Sequence, residues 1–352
     1  MPWSGSARRG ARARGSPVRI AEINDIASVA TEIGAGLRAR GHTVDHYYPR
    51  LVGAKLHPNI KPITGPVRAL DWLDLIRRIR AGRYDLVHIH YAYLGNIGAL
   101  GGFPYILHCH GSDLREGTPF TRPLIANAIR QARHVFYSTP DLAGWVLPLR
   151  PDAEFLPNPV DTAQFAPKTP PSVHQSAWVA CALTEVKGAG RILRACQLLA
   201  ETHPGLRIDA FGGGEYTAAF RELPNVTLYA RHPRSRLPQI IDEHGIVIGQ
   251  ARLGSAGMAE LEAMACGRPV VTWFNERGAY AEPPPFFSAV DGDDIARIVG
   301  RLADDPALRD RAGAAGRAWV ERHHAVDRIV DRVEAVARAI VRGEPIPAAP
   351  AA

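Results

Sequence analysis

Two pairs of histidines at alternate positions, His88/His90 in DLVHIH and His108/His110 in YILHCH, form the densest group of chemistry-bearing side chains in this 352-residue sequence. Residues i and i+2 share one face of a strand, so each pair presents two imidazoles together, as a metal site would require. No carboxylate or cysteine stands at a matching spacing, so no metal is expected and core histidines are the plainer reading. A second group lies in GSAGMAELEAMACGRPVVTW (254–273). Ser255 and Gly257 precede a helix whose free N–H groups and positive dipole end suit a phosphate. Glu262 falls about one and a half turns into that helix, too deep for a cap. Its carboxylate can accept from vicinal hydroxyls such as a ribose diol, or it is an ordinary solvated glutamate. Gly212-Gly213-Gly214 is either a phosphate loop or a tight turn. Asp291-Gly292-Asp293-Asp294 imitates a metal-binding DxD motif, but acids at a helix head favour the dipole and capping is expected.

These side chains need elements to hold them, and apolar runs alternate with amphipathic stretches along the whole chain, the βαβ signature of parallel sheets. Strands are predicted at 18–23, 42–48, 85–90, 105–110, 134–138 and 153–157, with helices at 27–40, 67–82 and near 121–133. APKTPPSVHQS (166–176), with its three prolines and polar neighbours, reads as a linker. The alternation then restarts with strands at 178–183, 206–211, 226–230, 245–250 and 269–273, and the end is helical.

About two domains of roughly 150 residues fit this length. At 46% hydrophobic and 22% charged, the composition is that of an ordinary globular protein. Cys109, Cys181, Cys196 and Cys266 stand far apart, which excludes a disulfide framework and points to a reducing compartment. The net charge of +7 is concentrated at the start, where Arg8, Arg9, Arg12, Arg14 and Arg19 have no acid among them. A nucleic-acid-binding fold would carry that charge on its body, so no nucleic-acid partner is expected. Residues 1–17 lack a signal-peptide core and read as a basic arm without fixed structure, or as an electrostatic tether to anionic lipid or nucleic acid. No charged residue occurs from Leu86 to Ser112, but glycines, Pro104 and four histidines break that run, so it is no membrane span. The stretch 91–103 could instead admit a lipid-linked acceptor or touch a membrane surface, with Arg77, Arg78, Arg80 and Arg83 nearby, or be a buried Gly-rich turn.

Five strings resemble, in order, the family 4 retaining glycosyltransferases. LEAMACGRPVV resembles their donor-site helix, and FLPNPVDTAQFAP (155–167) their interdomain motif. ILHCHGSD (106–113) is similar to their strand ending in a cleft histidine, and VKGAGRIL (186–193) to the lysine-glycine segment of their donor domain. GAAGRAWVERHHAVDRIVDRVEAVARAI (313–340) resembles their closing helices. The resemblance implies the α/β GT-B fold: two Rossmann-like doubly wound domains facing across a cleft, with a C-terminal helix crossing back to the first. It divides the chain into an arm (1–17), an acceptor-side domain (18–165), the linker (166–176), a nucleotide-sugar domain (177–323), the crossover helix (324–342) and a tail without fixed structure (343–352). It implies His110 and Lys187 as catalytic residues, the first against the sugar and the second as a cation on the departing diphosphate. Glu262, Ser255, Gly257, Glu260, Gly212 and Arg231 would bind the donor, and Asp25, Ser28 and Asp113 would lie on the acceptor side. No cofactor or obligatory metal is implied.

Three positions depart from the family pattern. Gly254 stands where a glutamate contacts the transferred sugar, Ala182 where an arginine joins the lysine, and Asp25-Ile26-Ala27-Ser28 replaces a glycine pair. Gln250, Arg252 or Glu260 could take over the lost contacts. The expectation is a cytoplasmic sugar transferase, possible contact with the inner membrane face included, acting on a glycan, lipid-linked or small-molecule acceptor. A noncatalytic nucleotide-sugar-binding subunit and a nucleotide-sugar epimerase are the alternatives.

Overall fold

The computed structural model describes residues 16–50, 65–115 and 117–349. The basic arm, apart from Ser16 and Pro17, and the last three residues of the tail lie outside the described residues. The chain forms two compact units, one running through Pro159 and resuming at Val326, the other Val160–Ala325.

In the first unit, six parallel strands run in the order β2-β1-β3-β4-β5-β6. They are β1 (Arg19–Ile23), β2 (Thr43–Tyr47), β3 (Leu86–His90), β4 (Tyr105–Cys109), β5 (His134–Tyr137) and β6 (Glu154–Phe155). Every residue of β3 and of β4 is buried, because helices cover both faces of a parallel sheet. One face packs Leu75, Ile79, Ile97, Ile125 and Ile129. The other packs Val29, Ile33 and Leu37 of the helix Val29–Ala39 together with Ile329, Val330 and Val333 of the C-terminal helix Val326–Arg342. Gly36 is the residue that lets these two helices touch, since a Cβ there would sit 2.6 Å from a Val330 methyl. Arg40 adds ion pairs to Asp331 and Glu334, and Arg332 grips the Glu154 carboxylate through Nε (2.7 and 3.0 Å) and Nη2 (2.6 Å).

The second unit repeats the plan with β7 (Ser176–Val179), β8 (Arg207–Phe211), β9 (Val226–Tyr229), β10 (Ile246–Ile248), β11 (Val270–Thr272) and β12 (Phe287–Ser288), in the order β12-β11-β10-β7-β8-β9. The direction of strand addition reverses between β7 and β10, and in the first sheet between β1 and β3. Such reversals open a crevice at the carboxyl ends of the strands. Asp291 caps the helix Gly292–Asp304 by accepting from the Asp294 N–H at 2.8 Å, as the dipole argument predicts.

Two expectations need correction. The boundary lies at Pro159/Val160, and residues 166–176 are built into the second unit instead of linking freely. Asp242 accepts from the Lys168 and Thr169 N–H groups (2.9 and 3.1 Å), Asp310 from that of Ser172 (3.0 Å), and fully buried Arg268 donates to the Thr169 carbonyl (2.8 Å). Carboxylates elsewhere in the fold therefore pin a stretch whose prolines offer few donors of their own. The uncharged stretch after β3 is a helix, Gly95–Gly101, packed inside the first unit. Gly98 lies so close to Tyr105 that a Cβ would come within 2.6 Å of the ring, and Gly95 meets Ala128 in the same way. The stretch is buried, as one reading had it, but its glycines serve close packing of a helix on the sheet and not a turn.

Candidate functional site

In the second unit the site is assembled around the crevice beside β7 and β10. After β7 the chain makes a short turn, Glu185–Lys187, and enters the helix Ala189–Thr202 through Gly188. Gly188 has φ +76°, and a Cβ there would fall 2.8 Å from the Ala251 carbonyl carbon. Only glycine meets both demands. The Ala251 N–H donates to the Lys187 carbonyl at 2.8 Å, fastening the loop after β7 to the loop after β10. Half-buried Lys187 has no ion-pair partner among the described residues. Burial pushes the nearby Cys181 thiol up to about 12, with Glu260 adding to the push and Lys187 opposing it.

Gln250 is 1% exposed and shapes the loop after β10. Its amide nitrogen donates to the carbonyls of Ser255 (3.0 Å) and Trp273 (2.9 Å), and its oxygen accepts from the N–H groups of Arg252 (2.8 Å) and Leu253 (2.6 Å). All four contacts are to backbone, so Gln250 builds the loop and is spent doing so. Glu260 is likewise committed, since its Oε1 accepts from the Gln250 N–H at 2.8 Å. Gly254, at φ +77°, faces Asn275, whose carboxamide oxygen lies 2.3 Å from the place a Cβ would take.

Ser255 and Gly257 precede the helix Met258–Ala265, as expected. Glu262 is buried on that helix, and its Oε1 accepts from Arg234 Nε (3.1 Å) and Nη2 (2.5 Å). Gly212 follows β8, and at Gly214 a Cβ would strike the Leu183 carbonyl at 2.3 Å. Gly214 thus brings this turn against the loop that leads to Lys187. Arg231 is exposed after β9. A cavity of about 370 Å³ opens between Glu185, Gly188, Gly190, Arg191 and Arg252. Arg191 is held there by the carbonyls of Ala251 (2.8 Å) and Val290 (2.9 Å), and Arg252 pairs with Glu185. Two guanidiniums and a lysine near a helix start can neutralise a diphosphate.

In the first unit His110 ends β4 half-buried, its Nε2 3.0 Å from His90 Nδ1. Burial, aided by His88, lowers its pKa to about 3, so the ring is neutral at neutral pH. It can donate or accept a hydrogen bond but brings no charge. Asp113 is buried and accepts from the N–H groups of Ala92 (2.8 Å), His110 (3.1 Å) and Gly111 (2.7 Å). It positions the His110 backbone with both oxygens already engaged. Asp25 closes the start of helix Val29–Ala39, accepting from Ala30 N–H (3.0 Å) and the Thr31 hydroxyl (2.6 Å). Asn24, Ala27 and Ser28 all take positive φ, a strain of about 1–2 kcal/mol each for residues other than Asn. Among the acceptor-side set, Ser28 keeps a hydroxyl that neither caps the helix nor pairs with another described residue.

Sequence reasoning missed Glu22, Arg191 and Arg234. Glu22 could have been found as an acid inside an apolar strand run, and Arg191 as a cation one turn beyond Lys187. Arg234 carries no such signal, because its partner is 28 residues away.

Residues 26–164 match the family model of Glycosyltransferase Family 4, and residues 191–335 that of the Glycosyl transferase-like family. A GDP-mannose-dependent monoacylated alpha-(1-6)-phosphatidylinositol monomannoside mannosyltransferase of Corynebacterium glutamicum is 27% identical over 198 residues, covering 49% of this chain and 52% of that protein. The alignment thus spans about half the length of that relative. A D-inositol 3-phosphate glycosyltransferase of Thermomonospora curvata is 25% identical over 86% of this chain and 87% of its own. Among solved structures, a sucrose-phosphate synthase from Thermosynechococcus elongatus superposes with a TM-score of 0.74 at 16% identity, over 93% of this chain and all of that one. That likeness establishes the fold.

Proposed function

We propose that this chain, which matches the Glycosyltransferase Family 4 model over 26–164 and the Glycosyl transferase-like model over 191–335, moves a sugar from a nucleotide diphosphate to a hydroxyl acceptor with retention of configuration. The observation that carries this reading is the cation group at the β7–β10 crevice. Arg191 and Arg252 line one cavity, Arg252 paired there with Glu185, and Lys187 directly precedes Gly188 at its edge, on loops that Gly188 and Gln250 hold in register. A departing diphosphate gathers negative charge, and fixed cations stabilise that charge without reorganising. Arg252 or Arg191 supplies the guanidinium absent at Ala182. Glu262, oriented by Arg234, receives the hydroxyls of the nucleotide ribose. His110 as a neutral imidazole hydrogen-bonds the sugar or its acceptor, and a diphosphate oxygen takes the acceptor proton as the glycosidic bond to the donor breaks. The acceptor is a small polyol or lipid-linked hydroxyl, in keeping with the inositol-containing acceptors that the relatives' names carry.

Thermal stabilisation and slow hydrolysis are the test, measured across UDP, GDP, ADP and dTDP sugars. One donor should raise the melting temperature selectively, the shift should vanish in Glu262→Ala, and nucleotide release should vanish in Lys187→Ala. No shift with any donor would overturn the reading. Binding with no turnover for any acceptor would favour the noncatalytic subunit that Ala182 and Gly254 suggest.

A further inference from the structure

The inner end of the first sheet holds an arrangement the reaction does not use. Glu22 of β1, His88 and His90 of β3 and His108 of β4 lie on one sheet face, because Glu22 is in register with His88 and His90 with His108. All four are 0–1% exposed. The sequence gives no reason to pair Glu22 with these histidines, and a metal is not expected there for want of a carboxylate. The fold supplies one.

Glu22 accepts from His88 Nδ1 (3.2 Å, Oε1) and from His90 Nε2 (2.9 Å, Oε2). Those bonds fix the protons of both rings, leaving His88 Nε2 and His90 Nδ1 as the lone-pair nitrogens. His88 Nε2 has no hydrogen-bond partner, and neither nitrogen of His108 has one. One nitrogen from each of His88, His90 and His108 can be chosen so that all three lie within 4.8 Å of one another. Histidines that bind a metal typically give their second N–H to a carboxylate, as His88 and His90 do here. Among the described residues Glu22 pairs with no lysine or arginine. A buried carboxylate is costly unless positive charge balances it.

We infer that His88, His90 and His108 bind a divalent transition metal, with Glu22 orienting the first two rings and balancing the charge. Three imidazoles and no thiolate favour Zn(II), or Co(II) as its spectroscopic substitute. His110, whose Nε2 is 3.0 Å from His90 Nδ1, is near enough to complete the set. The site is structural: it ties the carboxyl ends of β3 and β4, and Glu22 joins β1 to them through its bonds to His88 and His90.

The test uses the full chain, stripped with a chelator and dialysed, then titrated with zinc sulfate and with cobalt chloride. About one equivalent should bind, the cobalt form should show the strong visible bands of a tetrahedral site, and zinc should raise the melting temperature. His108→Phe keeps a ring against Phe136, and His88→Gln keeps a polar group beside Glu22. Each should remain folded by circular dichroism and lose both the bands and the shift. If one variant does not fold, the other carries the comparison. Failure of the folded wild type to take up either metal, or uptake retained in a folded variant, would overturn the inference. Neither result depends on the sugar-transfer reading, because no donor or acceptor is present.

Discussion

Glu22, His88, His90 and His108 stand inside the strands of the first sheet, whereas β10 and the end of β7 in the second sheet present Ala177, Trp178, Val179, Ile246, Val247 and Ile248. The polar groups of the second domain that could meet a ligand begin only where those strands stop, at Lys187, Arg191, Arg252 and Glu262. Two sheets of six parallel strands therefore place chemistry at different depths. Where the strands beside a crevice are apolar, their loops can be specialised at little cost to stability, and the second sheet's buried carboxylate, Asp209 on β8, is matched by His244 at 2.9 Å. A sheet with buried ionisable groups has made its own stability depend on how those groups are matched.

The largest effect should come from breaking a matched pair in the first domain. Arg332 and Glu154 side chains are 7% and 12% exposed, and Arg332→Ala leaves a buried carboxylate without its guanidinium. A loss of about 3–5 kcal/mol is expected in chemical denaturation. The donor-induced shift of the second domain should survive at temperatures where the protein stays folded. Lys187→Ala should do the converse, costing about 10²–10³ in turnover, or ~2.7–4 kcal/mol of transition-state stabilisation, with little change in melting temperature. If Lys187→Ala destabilised the fold as much as Arg332→Ala, the contrast between the two domains would fail. Arg234→Ala tests the intermediate case, a pair at the mouth of the second domain with side chains 27% and 3% exposed. It should cost about 1–3 kcal/mol of stability and also weaken the donor shift, joining the two kinds of effect in one residue.

Acid should give the smallest signal, read here at one carboxylate of the first domain. Burial alone would raise the pKa of Glu334, but His42, Arg40 and Arg338 outweigh it and lower the value to about 2. The native pKa is below the unfolded value near 4.3, so the stabilisation is complete above that pH and is lost as pH falls toward about 2. Wild type should lose stability through this window, and Glu334→Gln should flatten that part of the curve when denaturation midpoints are compared.

The alternation of apolar runs and amphipathic helices made both sheets legible in the sequence, because parallel strands buried on two faces leave a continuous signal. The string around Glu262 and the lysine-glycine pair at 187–188 were legible for a local reason: each is a turn feeding a helix, complete within ten or so residues. What stayed hidden depends on distant partners. Glu22 meets its histidines across 66 and 68 residues, and nothing within VRIAEI announces them. The proline-rich stretch at 166–176 looked free because the carboxylates that hold it, Asp242 and Asp310, come from far along the chain. Glu260 gives no sign in the sequence that one of its oxygens accepts from the Gln250 N–H.

The helix Val326–Arg342 closes over Ile20, Val29, Ile33 and Leu37, which are made earlier than the whole of the second domain. Synthesis proceeds at about 5–20 residues per second, so the first domain waits many seconds for the segment that covers one face of its sheet. Over that interval the second domain, Val160–Ala325, is synthesised in full, and its last residue precedes the closing helix. The half of the protein begun first is thus finished last, and its uncovered apolar face is what a chaperone or an aggregating neighbour would meet on the nascent chain.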